Sequence, residues 1–216
     1  VSYYRDFRGP KKIRDIKVVT SPDFIHWTTG TYLSYNDVPE EQLYTNAVQQ
    51  YFRAPQLYLG FPTRYQAKTE QVEPILMTSH DGTHFHRWHE PLIPITAPKD
   101  RDGNRSNYMA HGLIQIPGQD REISVFGTEA YYAGPGSRVR RFVFRTDGFV
   151  SVYAKADGEM QTKKLQFAGN SLQLNYAAAV GGELRVEILD DAGQPIPGFT
   201  LDDCQPLTGD EIAQAV

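Results

Sequence analysis

The chain has 216 residues, 40% hydrophobic and 22% charged, the profile of a globular protein with material for one large or two small domains. Its net charge of −4 lacks the basic excess of a generic nucleic-acid binder, and no apolar run reaches membrane-spanning length, so nucleic acid and membrane are both excluded as expected partners. The single cysteine, Cys204, cannot form an internal disulfide and says nothing firm about compartment.

Strand signals dominate the chain. Residues 16–20, 56–60, 75–78, 113–116, 123–126 and 139–144 are short runs rich in β-branched, aromatic and aliphatic side chains, bounded by Gly, Pro, Asp or Asn. Within this series a turn element repeats. Thr20-Ser21-Pro22-Asp23-Phe24-Ile25-His26-Trp27 aligns with Thr78-Ser79-His80-Asp81-Gly82-Thr83-His84-Phe85, and Arg145-Thr146-Asp147-Gly148-Phe149 is a weaker third copy. A second pair, Ala54-Pro55-Gln56-Leu57 with Ala110-His111-Gly112-Leu113, keeps a similar period, and Thr63-Arg64-Tyr65 corresponds to Thr128-Glu129-Ala130. Strand-built self-similarity at about 60 residues reads as four-stranded propeller blades. In each turn the aspartate is expected to accept backbone N–H groups and close the corner, with Trp27 or Phe85 packing behind it.

After Gly148 the texture changes. Residues 149–154, 165–167, 172–176, 184–189 and 199–201 read as strands between close hairpin signals such as Asp157-Gly158 and Gly181-Gly182, the pattern of a small antiparallel sandwich; only the tail, 209–216, suggests a helix. The expected architecture is therefore all-β: a partial β-propeller of two to three four-stranded blades over residues 1–148, followed by a β-sandwich over 149–216.

Arg14-Asp15-Ile16, followed by Thr20-Ser21-Pro22-Asp23 and His26-Trp27, resembles the blade signature of the five-bladed glycoside hydrolases, families 32 and 43 and their relatives. Arg53-Ala54-Pro55-Gln56-Leu57-Tyr58 is similar to their passage from innermost to second strand. Gly182-Glu183-Leu184-Arg185-Val186-Glu187 and Pro195-Ile196-Pro197-Gly198-Phe199 resemble a sandwich domain appended to such propellers. The resemblance implies a glycoside hydrolase-like protein that acts on or binds oligosaccharides, with a non-catalytic carbohydrate-binding or assembly module as the alternative. Room for two to three blades rather than five implies the C-terminal part of a larger hydrolase whose early blades, with their catalytic aspartates, lie elsewhere. It also implies self-association or docking to missing N-terminal blades, because open sheets leave unpaired edges. A calcium ion in the propeller channel is implied by the resemblance alone; no other cofactor is expected. The opening Val1-Ser2-Tyr3-Tyr4 does not read as a signal leader, and the expected location is secreted or periplasmic.

Glycoside hydrolysis needs two carboxyl groups, one kept protonated by its surroundings. Glu129 is the leading catalytic candidate. It follows the apolar run 123–127, is flanked by Tyr131 and Tyr132, and stands where the preceding repeat has Arg64. Aromatic surroundings favour a neutral carboxyl, which suits a general acid; the competing role is a strand-end carboxylate paired with Arg64 or Arg138. Asp100 and Asp102, and likewise Glu70 and Glu73, fall in polar stretches that read as exposed. Arg53, Arg64, Arg105, Asn107, Tyr108 and His111 form the expected substrate-binding set, with guanidinium forks and amides matching hydroxyls or carboxylates and Tyr108 placed to stack. The histidine run His80, His84, His86 and His89 lacks a completing carboxylate or cysteine, and no metal site is expected there. There is no Gly-x-Ser-x-Gly elbow, and Gly134-Pro135-Gly136 opens no helix that could cradle phosphate.

Overall fold

The computed structural model describes residues 1–36, 38–93, 107–131 and 134–216. The described chain is all-β, with no α-helix, and divides into two compact units: Val1–Ile116 with Ser124–Val143, and Pro117–Ile123 with Phe144–Val216. Among the described residues the strands form several separate sheets, none closed on itself.

In the first unit, β1 (Ser2–Arg8) and β2 (Ile13–Val19) form an antiparallel hairpin in register from Ser2↔Val19 to Arg8↔Ile13, and β3 (Thr31–Tyr32) extends it to the order β1-β2-β3. A larger sheet follows, from β4 (Ser34–Tyr35), β5 (Gln42–Leu43), β6 (Gln49–Tyr51), β7 (Ala54–Gly60), β8 (Thr63–Gln66), β9 (Gln71–Ser79) and β10 (His84–Pro91). Its main path is β4-β10-β9-β7-β6, with β8 lying between β5 and the first half of β9. Strands β7 and β8 lie along the same neighbour, Gly60 opposite Met77 and Thr63 opposite Pro74. They part at Phe61-Pro62 because Pro62 has no N–H to give; its carbonyl still accepts the Ile75 N–H at 2.9 Å.

The core grows from period-two patterning. Ile16 and Val18 of β2 meet Ile75 and Met77 of β9, together with Leu33, Leu43, Val48 and Phe85. Strand β9 runs between β10 and the β7–β8 line, and most of its residues, Val72, Ile75, Leu76 and Met77 among them, are buried. Behind this cluster Asp15, 5% exposed, accepts the Tyr35 hydroxyl at 2.8 Å and pairs with Arg8 Nε at 2.8 Å. Burial, with the Asp15 carboxylate alongside, pushes the Tyr35 phenol well above its usual range.

The first two repeat turns have the same construction. In one, Asp23 Oδ1 accepts the N–H groups of Ile25 (2.9 Å) and His26 (2.8 Å), Ser21 Oγ accepts the Asp23 N–H, and His26 Nδ1 lies 2.7 Å from Asp23 Oδ2. In the other, Asp81 Oδ1 accepts from Thr83 and His84 (both 2.7 Å), Ser79 Oγ accepts from Asp81, and His84 Nδ1 lies 2.6 Å from Oδ2. Each turn joins equivalent strands, β2 to β3 and β9 to β10. The residue after each aspartate is left-handed, Phe24 at φ 62° and Gly82 at φ 75°. Only a glycine fits at the second, since a Cβ there would lie 2.7 Å from the Tyr3 hydroxyl. The third copy departs from this plan: Asp147 itself takes the left-handed conformation, at φ 56°, and residues 148–154 form no strand.

Both turn aspartates are held below the usual carboxylate range, first by the backbone N–H of His26 or His84. A lowered acid pKa adds stability that is complete above the ordinary aspartate value of about 3.9 and is lost as pH falls through and below it. Asp81→Asn is therefore expected to flatten the acid limb of a Tm-against-pH curve, and Asp81→Ala to cost about 1 kcal/mol at neutral pH. An acid limb unchanged in the Asp23→Asn, Asp81→Asn double variant would overturn this account.

Strands β11 (Glu122–Glu129) and β12 (Arg138–Arg145) form a two-stranded sheet, and Met109 and Ile114 bridge to Gly127 and Ser124 alongside β11. Gly127 lacks a side chain where Met109 Sδ and Phe142 Cε2 would approach a Cβ to 3.1 and 3.2 Å.

The second unit is organised around Arg145. Its Nε donates to Asn175 Oδ1 at 2.5 Å, its Nη2 to the carbonyls of Tyr176 and Glu211, and its Nη1 pairs with Asp210. Asp210 also accepts from Arg121, and the Arg145 hydrogen bond holds its carboxyl below the ordinary range. These residues flank β13 (Gln173–Ala177) and β14 (Asp210–Ala215), an antiparallel pair. The tail expected to be helical is thus a strand: one or two turns of helix are marginal alone, whereas β13 supplies ladder partners. Residues 149–154, 165–167 and 199–201, expected as strands, form none among the described residues, and Tyr153 and Phe167 are 83% and 80% exposed. Among the described residues the unit holds one two-stranded sheet and the bridges Leu184↔Leu207 and Leu189↔Pro195, a coarser β arrangement than the sandwich expected.

Candidate functional site

The richest concentration of charged chemistry in the first unit surrounds Arg64. The hairpin β8–β9 places Arg64 opposite Glu73, and β5 places Leu43 on the other side of Arg64. Arg64 Nη2 lies 2.7 Å from Glu73 Oε1, Nη1 lies 2.6 Å from Glu41 Oε1, and Nη1 also donates to the His89 carbonyl at 2.9 Å. Gln66 donates to Glu73 at 2.9 Å, His89 Nδ1 is 3.2 Å from Glu41 Oε1, and Arg87 Nη2 is 3.7 Å from Glu41 Oε2. Burial works against the Arg64 charge, but the Glu73 and Glu41 carboxylates outweigh it and hold the guanidinium above its usual range. Glu41, Gln42, Arg64, Tyr65, Glu73 and His89 line an open groove of about 510 Å³.

From this groove a row of tyrosines leads away. Tyr65 and Tyr44 have ring centroids 6.2 Å apart, Tyr44 and Tyr108 5.9 Å, and Tyr108 and Tyr131 5.7 Å. Arg5 covers one face of Tyr44 at 4.4 Å and Arg14 covers Tyr65 at 4.5 Å, fixing those rings by cation–π contact. The far end is open, with Tyr131 52% exposed. Just before it in the chain stands Glu129, fully buried, with Oε2 accepting from Arg138 Nε at 2.7 Å and Oε1 2.5 Å from Arg140 Nε.

This arrangement favours the ion-paired alternative for Glu129 over the general acid. A general acid needs a carboxyl desolvated without opposing charge and open to substrate, whereas Glu129 is enclosed and held by two guanidinium groups, the partner set of a charged anchor. The pairing with Arg138 was one of the two alternatives legible in the sequence; Arg64 pairs elsewhere. Of the expected binding set, Arg64 lines the groove but is committed to Glu41 and Glu73, and Tyr108 sits inside the tyrosine row, its N–H donated to Thr128 Oγ1 at 3.1 Å. Asn107 is buried, 1% exposed. Arg53 and His111 lie on exposed bends outside groove and row, and Arg105 lies outside the described residues.

Glu41, Tyr44, Tyr65, Arg87 and Arg140 were not singled out from sequence, and Glu73 was read as exposed. Glu73 had a usable signal, since Arg64 and Glu73 stand symmetrically about a short polar loop, as cross-strand ion pairs do in a hairpin. The histidine run does not converge: His84 faces Asp81, His86 packs on Trp88 at 4.6 Å, and His89 faces Glu41. Among the described residues there is no group of three or more His, Cys, Asp or Glu placed to hold a metal ion. Comparison with family models, curated proteins and solved structures finds no match to this chain.

Proposed function

We propose that the chain is part of a glycoside hydrolase-like protein and that its first unit binds oligosaccharides, without turnover by its own residues, along the tyrosine row between the Arg64 groove and Tyr131. One observation carries this reading: four tyrosine rings in succession, each within 6.2 Å of the next, join a polar groove to an exposed aromatic end. Sugar rings present apolar C–H faces and a polar rim, which suits aromatic surfaces beside amide, carboxylate and guanidinium groups. The finer fold reading belongs with it. The three-stranded sheet and the path β10-β9-β7-β6 are each closed by the same Ser-x-Asp-x-x-His corner, which supports successive propeller blades.

Calorimetric titration of the intact chain with a panel of oligosaccharides tests the proposal. Tyr131→Ala is expected to weaken the best-bound sugar roughly three- to tenfold, the worth of one stacked ring. Failure of every sugar to bind, or an unchanged affinity in Tyr131→Ala, overturns it. Release of reducing sugar that disappears in Glu41→Gln would put hydrolysis at the groove in place of binding.

A further inference from the structure

Arg138 and Arg140 share one face of β12 and converge on the two oxygens of a single buried carboxylate, Glu129. Arg138 is held by a hydrogen bond from Nε and Arg140 by an ion pair at Nε. Among the described residues the Nη groups of both make no hydrogen bond, and the side chains stay 48% and 44% exposed. Two cations on one anion leave a positive charge on the trio. The strand spacing and the shared anchor set two guanidinium forks side by side, with their outer N–H groups turned to no acceptor among the described residues.

That is the construction of an anion receptor. A guanidinium anchored at Nε has lost most of the freedom it would otherwise surrender on binding, and its paired Nη donors match the spacing of oxygens on a carboxylate or sulfate. Among the described residues Glu129 is the one carboxylate paired with either arginine, and it supplies one charge against two. Tyr131, the exposed end of the tyrosine row, lies two residues beyond Glu129 in the chain, so an aromatic surface and a charged fork occur together.

We infer that Arg138 and Arg140, positioned by Glu129, bind the carboxylate or sulfate group of an acidic oligosaccharide. The anion-binding half of the inference stands on the arginine pair alone; the oligosaccharide as its source rests on the function proposed above.

The test titrates the intact chain, with labelled arginine side chains observed by NMR, against inorganic sulfate, a galacturonate trimer, a sulfated galactose oligomer and neutral maltotriose. Sulfate is expected to shift the Arg138 and Arg140 side-chain signals and to compete with whichever acidic oligomer binds. In the Arg138→Lys, Arg140→Lys variant, which keeps positive charge beside Glu129 but removes the forks, acidic-oligomer affinity is expected to fall about tenfold while maltotriose is unaffected. A preference for galacturonate or for the sulfated oligomer identifies the source of the anion. Equal binding of acidic and neutral oligomers, an unchanged affinity in the lysine variant, or no competition by sulfate in the unaltered chain overturns the inference. Shifts with sulfate but with none of the sugars would leave an anion site and overturn its oligosaccharide source, failing the proposed function with it. Sugar binding at the tyrosine row without sulfate shifts would fail the arginine site alone.

Discussion

Replacing Arg64 by methionine is expected to lower the unfolding free energy by about 3–5 kcal/mol, measured by urea denaturation at neutral pH. The size follows from what is left behind. Glu41 and Glu73 have side chains only 11% and 6% exposed, and both lean on this one guanidinium at 2.6 and 2.7 Å. Without it, two desolvated carboxylates face each other across the space it occupied. Arg87, 3.7 Å from Glu41, is too distant to replace it. Neutralising both acids in the same background, Glu41→Gln with Glu73→Gln, is expected to recover more than half of the loss, since the penalty is that of unpaired charge more than of lost attraction. A loss below about 1 kcal/mol for Arg64→Met would mean that the carboxylates are solvated, and the groove would then be open water rather than a walled site.

Phe85→Ala is expected to cost about 3–5 kcal/mol, whereas Trp27→Ala, at the matching position of the first repeat, should cost less than about 1 kcal/mol. Phe85 is 2% exposed, part of the central cluster, and meets Tyr3 edge-on at 6.3 Å. The turn before it is seated as well, with the Tyr3 hydroxyl donating to the Gly82 carbonyl at 2.9 Å. Trp27 is 41% exposed and contacts its own turn, with its ring against Phe24 at 5.8 Å and its Nε1–H donated to the Phe24 carbonyl at 3.1 Å. Thermal denaturation of the two variants side by side reads the contrast directly. Equal losses would show that the first corner is as deeply packed in solution as the second.

The same pair of corners divides what was legible in the sequence from what was not. Ser-x-Asp-x-x-His is a local device: its side chains bond to backbone groups two or three residues away, so the residues alone determine the turn wherever it occurs. The same holds for the all-β character and for the strands around 56–60, 75–78 and 139–144, whose patterning and branched side chains carry the information within a few residues. Whether Phe85 is buried and Trp27 exposed depends on β1 lying over one corner, a contact between residues about 80 apart in the chain that no window around either corner contains. Strand expectation failed at residues 149–154 and 165–167, and helix expectation at 209–216, for a related reason. A strand exists only with a partner: β14 found β13, and the apolar runs before it found none.

Charge roles were decided in the same way. A glutamate in an aromatic stretch reads equally as proton donor or as anchor until its neighbours are known, and for Glu129 those neighbours are two arginines brought in by the pairing of β12 with β11. By itself the sequence determined the turn chemistry, the β-rich class and the residue types available for binding. The tertiary structure decided which carboxylates are paired, which aromatics line up, and which two arginines keep their donors outward. Ionic and stacking interactions act over a few ångströms of space, and only the folded chain says which residues share them.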